Sequence, residues 1–284
     1  MDKDTARLKK EALVQQINKL PSLLVAFSGG VDSSFLLAVA HQVLGDRVTA
    51  ATSSSITYPL REQTEAAEFT KKRNIRHIIF ESEETKLPEF ISNTPDRCYH
   101  CKKSLSRRLI ELAKEENIHH IAHAANLDDL NDYRPGIKAA REMGLLSPLI
   151  DNRLGKDEIR FLSREMGLET WDKPAMACLA SRIPYLSPIT AGKLRMIQEA
   201  EEVLAENGFK LFRVRHHGNI ARIEVGGTEI GRMTEEALRK KIAERLREIG
   251  FTYISVDLEG YIPGSMNRDL ENKGEKRDKK IPGP

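Results

Sequence analysis

Near its start the sequence reads Val25-Ala26-Phe27-Ser28-Gly29-Gly30-Val31-Asp32-Ser33-Ser34, and this stretch decides the fold. An apolar run over 23–27 has the length of a buried strand and ends at two consecutive glycines. Residues 31–44 then place apolar side chains at helical spacing. We therefore predict a strand, a glycine turn and a helix N-terminus, an arrangement whose open N–H groups favour an anion such as phosphate.

The loop offers several candidate ligands for a nucleotide: Ser28, Gly29, Gly30, Asp32, Ser33 and Ser34. Asp32 is placed either to cap the helix or to hold Mg²⁺ carried by phosphates. No lysine follows the glycines as in a Walker A loop, and the dinucleotide pattern G-x-G-x-x-G is absent. Ser28–Ser33 instead resembles the pyrophosphate loop (PP-loop) of the ATP pyrophosphatase superfamily. That resemblance implies cleavage of ATP to AMP and pyrophosphate; a turn that binds nothing is the alternative.

Composition indicates a water-soluble globular protein. Of the 284 residues, 31% are charged and 40% hydrophobic, and the net charge of +3 makes nucleic acid an unlikely partner. No apolar run reaches the roughly 20 residues that cross a membrane, and the N-terminus lacks the pattern of a signal peptide. We expect a cytoplasmic protein with no membrane partner.

Strand and helix patterns alternate over the first part of the chain. Apolar runs at 23–27, 48–52, 75–80 and 118–125 alternate with helical patterns at 31–44, 61–73 and 102–116. This order predicts an α/β fold with a doubly wound parallel sheet, whose ligands lie beyond the carboxyl ends of the strands. Ser53 follows the second strand and is a further candidate nucleotide ligand.

An acidic stretch, Asn126–Gly136, follows the fourth predicted strand. Asp128 suits Mg²⁺, and Arg134 suits the charge of a leaving pyrophosphate. A solvated loop with Asx turns is the alternative.

The pattern changes after Trp171. A helix at 190–207, a hairpin of strands at 209–214 and 220–225, a helix at 234–249 and a strand at 253–258 predict a small C-terminal α+β domain. We expect a nucleotide-binding domain at 1–186, a substrate or oligomerisation domain at 187–267, and a disordered tail at 268–284.

Three cysteines point away from a disulfide framework and towards thiolate chemistry. Cys98 and Cys101 form a C-x-x-C, and Cys178 stands alone. Three thiolates can hold an iron–sulfur cubane that leaves one iron for an exogenous sulfide. A zinc site with His100, a redox dithiol and buried inert thiols are the alternatives.

Taken together, the motifs resemble the LarE family of ATP-dependent sulfur transferases, over about residues 10–267. They are the following: Ser28–Ser33, Arg97–Lys102, Asn126–Gly136, Ala177–Tyr185, Arg213–His217 and Gly264–Asn267. The resemblance implies an adenine nucleotide alpha hydrolase-like fold and sulfur insertion in the biosynthesis of the nickel-pincer nucleotide. It also implies pyridinium-3,5-biscarboxylic acid mononucleotide as substrate, ATP and Mg²⁺, an external sulfide donor and a homo-oligomer.

The resemblance also implies roles for individual residues. Cys178 matches the cysteine that sacrificial members surrender, becoming dehydroalanine. In members with all three cysteines a 4Fe-4S cluster is thought to carry the sulfide, and the presence of Cys98 and Cys101 favours that form here. The catalytic set is then Asp32 with the three cysteines. Arg213 and Arg215 match the substrate-phosphate site, with Glu201 nearby; a solvated strand face is the alternative for the arginines.

Two departures from the family pattern concern other positions. His123-Ala124-Ala125 stands where the family usually has Gly-Thr, before Asn126, and an arginine is missing from Tyr261-Ile262-Pro263-Gly264.

Competing functions are tRNA thiolation, a non-catalytic nucleotide sensor and an amidotransferase-type ligase. If the cluster interpretation fails, the cysteines hold zinc or no metal.

Overall fold

The computed structural model describes residues 1–131, 135–174 and 177–268. The chain forms two compact units, the first built from 1–90 and 96–177 and the second from 91–95 and the residues from 178 onward. The predicted domains 1–186 and 187–267 stay a prediction, and the tail from 269 onward lies outside the described residues.

The first unit contains a four-stranded sheet and the helices around it. Its strands are β1 Leu23–Ala26, β2 Val48–Ser54, β3 Arg76–Glu81 and β4 His120–Ala122. Its helices are α1 Lys3–Asn18, α2 Val31–Leu44, α3 Leu60–Lys72, α4 Pro88–Ile91 (which reaches the unit boundary), α5 Arg97–Glu115, α6 Pro135–Glu142, α7 Pro148–Asp151 and α8 Lys156–Glu165. Short 3-10 segments include Leu127–Asn131.

The strands are parallel in the order β3-β2-β1-β4, which confirms the predicted doubly wound sheet. Neighbouring residues of β1 enter different cores because side chains alternate across a strand. Leu23 and Val25 pack with α1, α2 and α8, whereas Leu24 packs with α5 and α6. Helices thus cover both faces, and the carboxyl ends of β1, β2 and β4 meet at one edge of the sheet.

The fourth strand is shorter than the predicted run 118–125, since only His120–Ala122 pairs with β1. Beyond it the backbone N–H of His123 donates to the carbonyl of Leu146 at 3.0 Å. This bond belongs to a parallel bridge between Ala122 and Leu146, so Leu146 pairs with the other edge of β4.

The second unit is a small α+β structure, as predicted. Its elements are a 3-10 segment Leu179–Arg182, α9 Ala191–Glu206, β5 Phe212–His217, β6 Ile220–Val225, a 3-10 segment Gly227–Thr234, α10 Glu236–Ile249, β7 Tyr253–Val256 and a 3-10 segment Ser265–Asn267. The strand order is β5-β6-β7, with an antiparallel hairpin and a parallel third strand.

The first hairpin strand lies three residues later than predicted. Phe209 does not start the strand; its N–H donates to Leu204 and closes the end of α9. The turn is only Gly218-Asn219, with Gly218 at φ +66°.

Among the helices that the structure describes, none has both the length and the apolar character that a membrane crossing requires.

Candidate functional site

The glycine loop joins β1 to α2 in a conformation that only glycine suits. Gly29 has φ +70°, and a Cβ placed there would lie 3.1 Å from the Cβ of Ala66 on α3. Gly30 precedes the helix and provides no side-chain cap. The N-terminus of α2 therefore presents open backbone N–H groups, which is the arrangement that binds phosphate.

The predicted serine ligands differ in how their hydroxyls are engaged. Ser33 Oγ donates to the carbonyl of Gly30 at 3.1 Å and accepts from the N–H of Ser28 at 3.3 Å. Ser34 and Ser53 carry buried hydroxyls for which the described part of the chain supplies no hydrogen-bond partner. Ser33 therefore holds the loop, whereas Ser34 and Ser53 have hydrogen-bonding capacity left for a ligand.

Asp32 lies in the first turn of α2 and forms an ion pair with Lys156, the first residue of α8. Its Oδ1 is buried and accepts no hydrogen bond of normal geometry within the described chain, although the amide of Asn126 lies close enough to lower the Asp32 pKa. Burial raises the pKa of Asp32, although the ammonium of Lys156 opposes the shift. An unpartnered carboxylate oxygen beside a phosphate-binding loop fits a Mg²⁺ ion arriving with ATP.

The acidic stretch after β4 is organised by Asx turns. Asn126 Oδ1 accepts from the N–H of Asp128 at 2.9 Å, and Asp129 Oδ2 accepts from the N–H of Asn126 at 3.0 Å. Asp128 accepts from the backbone N–H of Lys156 at 2.6 Å and so fixes the start of α8. Arg134, the predicted pyrophosphate ligand, lies outside the described residues.

The sequence did not single out two lysines whose side chains contact Asp32 and the glycine loop. Besides Lys156, Lys173 donates from Nζ to the carbonyl of Gly29 at 3.1 Å and pairs with Glu65 at 2.7 Å. Lys156 is 124 positions from Asp32, and Lys173 is 144 positions from Gly29. Because no local pattern connects such distant residues, only the tertiary fold reveals the contacts.

The cysteines are distributed between the two units. Cys98 and Cys101 lie at the start of α5 in the first unit, three residues apart and so on one helix face, whereas Cys178 begins the longer segment of the second unit. They form no disulfide, and His100 contacts Asp96 at 3.1 Å. Within the described ranges, no group of three or more His, Cys, Asp or Glu side chains is arranged to hold a metal ion.

Cys178 is held through its backbone. Its carbonyl accepts from the N–H of Ser181 at 2.9 Å and from the guanidinium of Arg182 at 3.1 Å. Arg182 is fully buried and bonds both oxygens of Glu201, at 2.9 and 3.1 Å. Glu201 also accepts from the N–H of Val214 at 3.1 Å. Arg182 thus connects the carboxylate of Glu201 to the backbone carbonyl of Cys178.

Arg213 and Arg215 lie on the same face of β5, as the strand period requires. Arg215 pairs with the buried Glu224 at 2.6 Å, and its buried Nε has no hydrogen-bond partner in the described chain. Burial lowers the pKa of Arg213, with the charge of Arg182 acting in the same direction. Arg222, also bound to Glu224 at 3.1 Å, is a further basic residue here that the sequence did not single out.

The chain is similar to known proteins over most of its length. No family model matches the chain. It is 38% identical over 262 residues to an uncharacterized protein of Synechocystis sp., covering 92% of this chain and 98% of the relative. It is 34% identical over 273 residues to pyridinium-3,5-bisthiocarboxylic acid mononucleotide synthase of Lactiplantibacillus plantarum, covering 94% and 96%. It is 28% identical over 250 residues to the tRNA-specific 2-thiouridylase of Rickettsia massiliae, covering 74% and 67%.

The parallel sheet, the glycine loop and these similarities define the class: the chain is a PP-loop protein of the ATP pyrophosphatase superfamily. Within that superfamily it belongs to the LarE family, the family of the Lactiplantibacillus plantarum synthase.

Proposed function

We propose that the chain is an ATP-dependent sulfur transferase that converts carboxylates of a small mononucleotide to thiocarboxylates. The observation that carries the proposal is the loop of Ser28–Ser33, whose glycine backbone, open helix N-terminus and unpartnered Asp32 oxygen fit Mg²⁺ and the phosphates of ATP. The similarity to a synthase of a bisthiocarboxylic acid mononucleotide supports pyridinium-3,5-biscarboxylic acid mononucleotide as the substrate.

Activation of the substrate is the first step. A carboxylate oxygen of the substrate attacks the α-phosphorus of ATP, the bond to the β-phosphate breaks, and pyrophosphate leaves with the electron pair. The product is an acyl adenylate. The loop N–H groups and Asp32, with Mg²⁺, hold the phosphates during this step.

Sulfur insertion follows at the activated carbonyl. In the sacrificial form the Cys178 thiolate attacks, AMP leaves, and a thioester with Cys178 results. Removal of the Cα proton of Cys178 then breaks its Cβ–S bond, which gives the thiocarboxylate and dehydroalanine. In the catalytic form the sulfur would come from a sulfide that an external donor supplies, and the side chain of Cys178 would keep its own sulfur.

Cys98, Cys101 and Cys178 are the residues that would hold a 4Fe-4S cluster. Two thiols on one face of α5 and a third elsewhere match the donor chemistry of such a cluster. When bound, a cluster with three cysteine ligands has one iron open to an exchangeable sulfide. The absence of a fourth cysteine supports this form over a closed four-cysteine zinc site.

Substrate binding is assigned to the basic face of β5. Arg215 presents an unpartnered buried Nε, which is a donor suited to the phosphate of a mononucleotide. Arg213 lies beside it on that face, while Glu201 supports this face through Arg182 and Val214.

The test combines the full chain, purified and reconstituted without oxygen, with ATP, Mg²⁺ and pyridinium-3,5-biscarboxylic acid mononucleotide. We expect pyrophosphate, AMP and a product in which sulfur replaces oxygen, detected by mass spectrometry. Cys178→Ser should retain pyrophosphate release and lose sulfur insertion. Bulk tRNA as the only sulfur acceptor would instead support the thiolation of tRNA, and ATP binding with no pyrophosphate release in any mixture would indicate a nucleotide sensor.

Iron and acid-labile sulfide analysis of the same protein separates the two forms of sulfur insertion. Iron and sulfide that disappear in Cys98→Ala and Cys178→Ala support the cluster. A chain without iron that loses the mass of hydrogen sulfide in one turnover supports sacrifice of Cys178.

A further inference from the structure

Residues 91–95 form a short segment that belongs to the second unit, although the chain on both sides of it belongs to the first. Asn93 lies at the centre of this segment, is fully buried and has a left-handed φ of +56°, a conformation that asparagine tolerates better than most residues. Just beyond the segment the chain enters α5, which carries Cys98 and Cys101. Contacts that hold Asn93 therefore also restrict the start of α5.

The side-chain amide of Asn93 binds the turn at 183–187, which follows Cys178 along the chain. Its Nδ2 donates to three backbone carbonyls, those of Pro184 at 2.8 Å, Ser187 at 2.9 Å and Ile183 at 3.3 Å. An asparagine amide has two N–H donors, and three acceptors within reach engage both of them. The carbonyl groups of this turn thus converge on one buried amide.

Two backbone hydrogen bonds strengthen the attachment of the turn. The N–H of Leu186 donates to the carbonyl of Asn93 at 3.0 Å, and the N–H of Ile189 donates to the carbonyl of Ile91 at 2.8 Å. Leu186 has φ +68°, which is unfavourable for a leucine and persists only where neighbouring groups hold the backbone. The segment 91–95 provides that hold, so the conformation of the turn depends on Asn93.

The chain between this turn and Cys178 is also held by hydrogen bonds. The N–H of Ile183 donates to the carbonyl of Ala180 at 3.2 Å, and the carbonyl of Cys178 accepts two hydrogen bonds from the 3-10 segment that follows it. Asn93 precedes Cys98 by five residues, and Ile183 follows Cys178 by five. The Asn93 amide therefore connects the backbone that leads to one cysteine with the backbone that comes from another.

We propose that Asn93 is a positioning residue for the sulfur-transfer site, where its amide holds together the segment leading to Cys98 and Cys101 and the segment starting at Cys178. This inference rests on the proposed function, because a cluster with three cysteine ligands needs thiols from both segments. Asn93 acts through the backbone. By holding both segments before a metal arrives, it reduces the conformational entropy that metal binding would otherwise cost.

Hydrogen exchange of the metal-free chain measures the attachment directly. Asn93→Gly removes the amide and leaves a residue that suits a φ of +56°. We expect the N–H groups of Leu186 and Ile189 to exchange about tenfold faster in this variant, whereas those of β5 keep their rate. Unchanged rates at Leu186 and Ile189 overturn the attachment. Faster exchange throughout β5 makes Asn93 a residue of general stability and overturns its positioning role.

Titration of the same metal-free chains with Co²⁺, without oxygen, measures how well the thiols converge. Co²⁺ binds thiolates, and the thiolate-to-cobalt absorption reports how many of them are bound. We expect Asn93→Gly to bind Co²⁺ about tenfold to a hundredfold more weakly, with the absorption at saturation reduced to the level of Cys178→Ser. Mg²⁺-ATP should bind as in the wild type, since the glycine loop belongs to the first unit.

Asn117→Gly is the matched control. Asn117 has a similar left-handed φ of +54° but is exposed, just after the end of α5. This variant should keep the exchange rates, the Co²⁺ affinity and the absorption of the wild type. If Asn93→Gly detaches the turn yet binds Co²⁺ within about twofold of the wild type, the positioning role alone is overturned. A wild-type chain whose thiols bind neither Co²⁺ nor iron overturns the cluster of the proposed function, and the role of Asn93 with it.

Discussion

Replacing Gly29 by alanine tests the geometry of the glycine loop directly. The φ of +70° costs an L-residue about 1–2 kcal/mol, of which part is offset by the reduced freedom of the unfolded chain. The added methyl group would also lie 3.1 Å from the Cβ of Ala66, a contact tight enough to displace α3 or the loop. Overpacking of this kind costs roughly 1–3 kcal/mol.

Gly29→Ala should therefore lose about 2–4 kcal/mol of unfolding free energy, measured by urea denaturation followed by circular dichroism. Gly167→Ala is the control, because Gly167 has a similar φ of +66° but open space around the Cβ position. It should lose only about 1 kcal/mol and retain ATP binding, whereas Gly29→Ala should lose ATP binding as well. Equal losses of stability in the two variants would refute the close approach of the loop to Ala66.

Two further predictions concern buried charged and titratable groups. Arg182→Met should cost about 3–5 kcal/mol of unfolding free energy, because it leaves the buried carboxylate of Glu201 without its ion-pair partner. Adding Glu201→Gln to this variant should recover part of the loss. No recovery in the double variant would contradict the pairing of Arg182 with Glu201. His123 is buried, and burial lowers its pKa from 6.5 to about 3, so the unfolded chain binds the proton first as the pH falls. Stability should fall between about pH 6.5 and pH 3, and His123→Gln should reduce that slope in urea midpoints measured across this range.

The sheet and the loop could be predicted because their signals are local. Buried parallel strands read as short apolar runs, and the glycines stand directly between such a run and an amphipathic helix. The exact bounds were less predictable: β4 pairs with β1 only over His120–Ala122, and β5 begins at Phe212 since Phe209 is used to close α9.

The site was predictable only where a motif carried it. Lys156 and Lys173 reach the loop from distant positions, and nothing in their neighbourhoods distinguishes them from surface lysines. Arg182 lay within a motif chosen for Cys178 and received no role, although it is fully buried. Its partner Glu201 was placed near the substrate phosphate by resemblance, and the contact with Arg182 appears only in three dimensions.

The hold of Arg182 and Ser181 on residue 178 is made to its main-chain carbonyl. These hydrogen bonds do not involve the side chain of residue 178. We therefore expect the segment to keep its position after the sulfur atom is lost. If Cys178 is sacrificed, chains that have lost its sulfur would keep their fold and would still bind nucleotides. These used chains would then compete with unused chains for ATP and substrate. The amount of product that a cell makes would therefore depend on how fast it degrades the used chains.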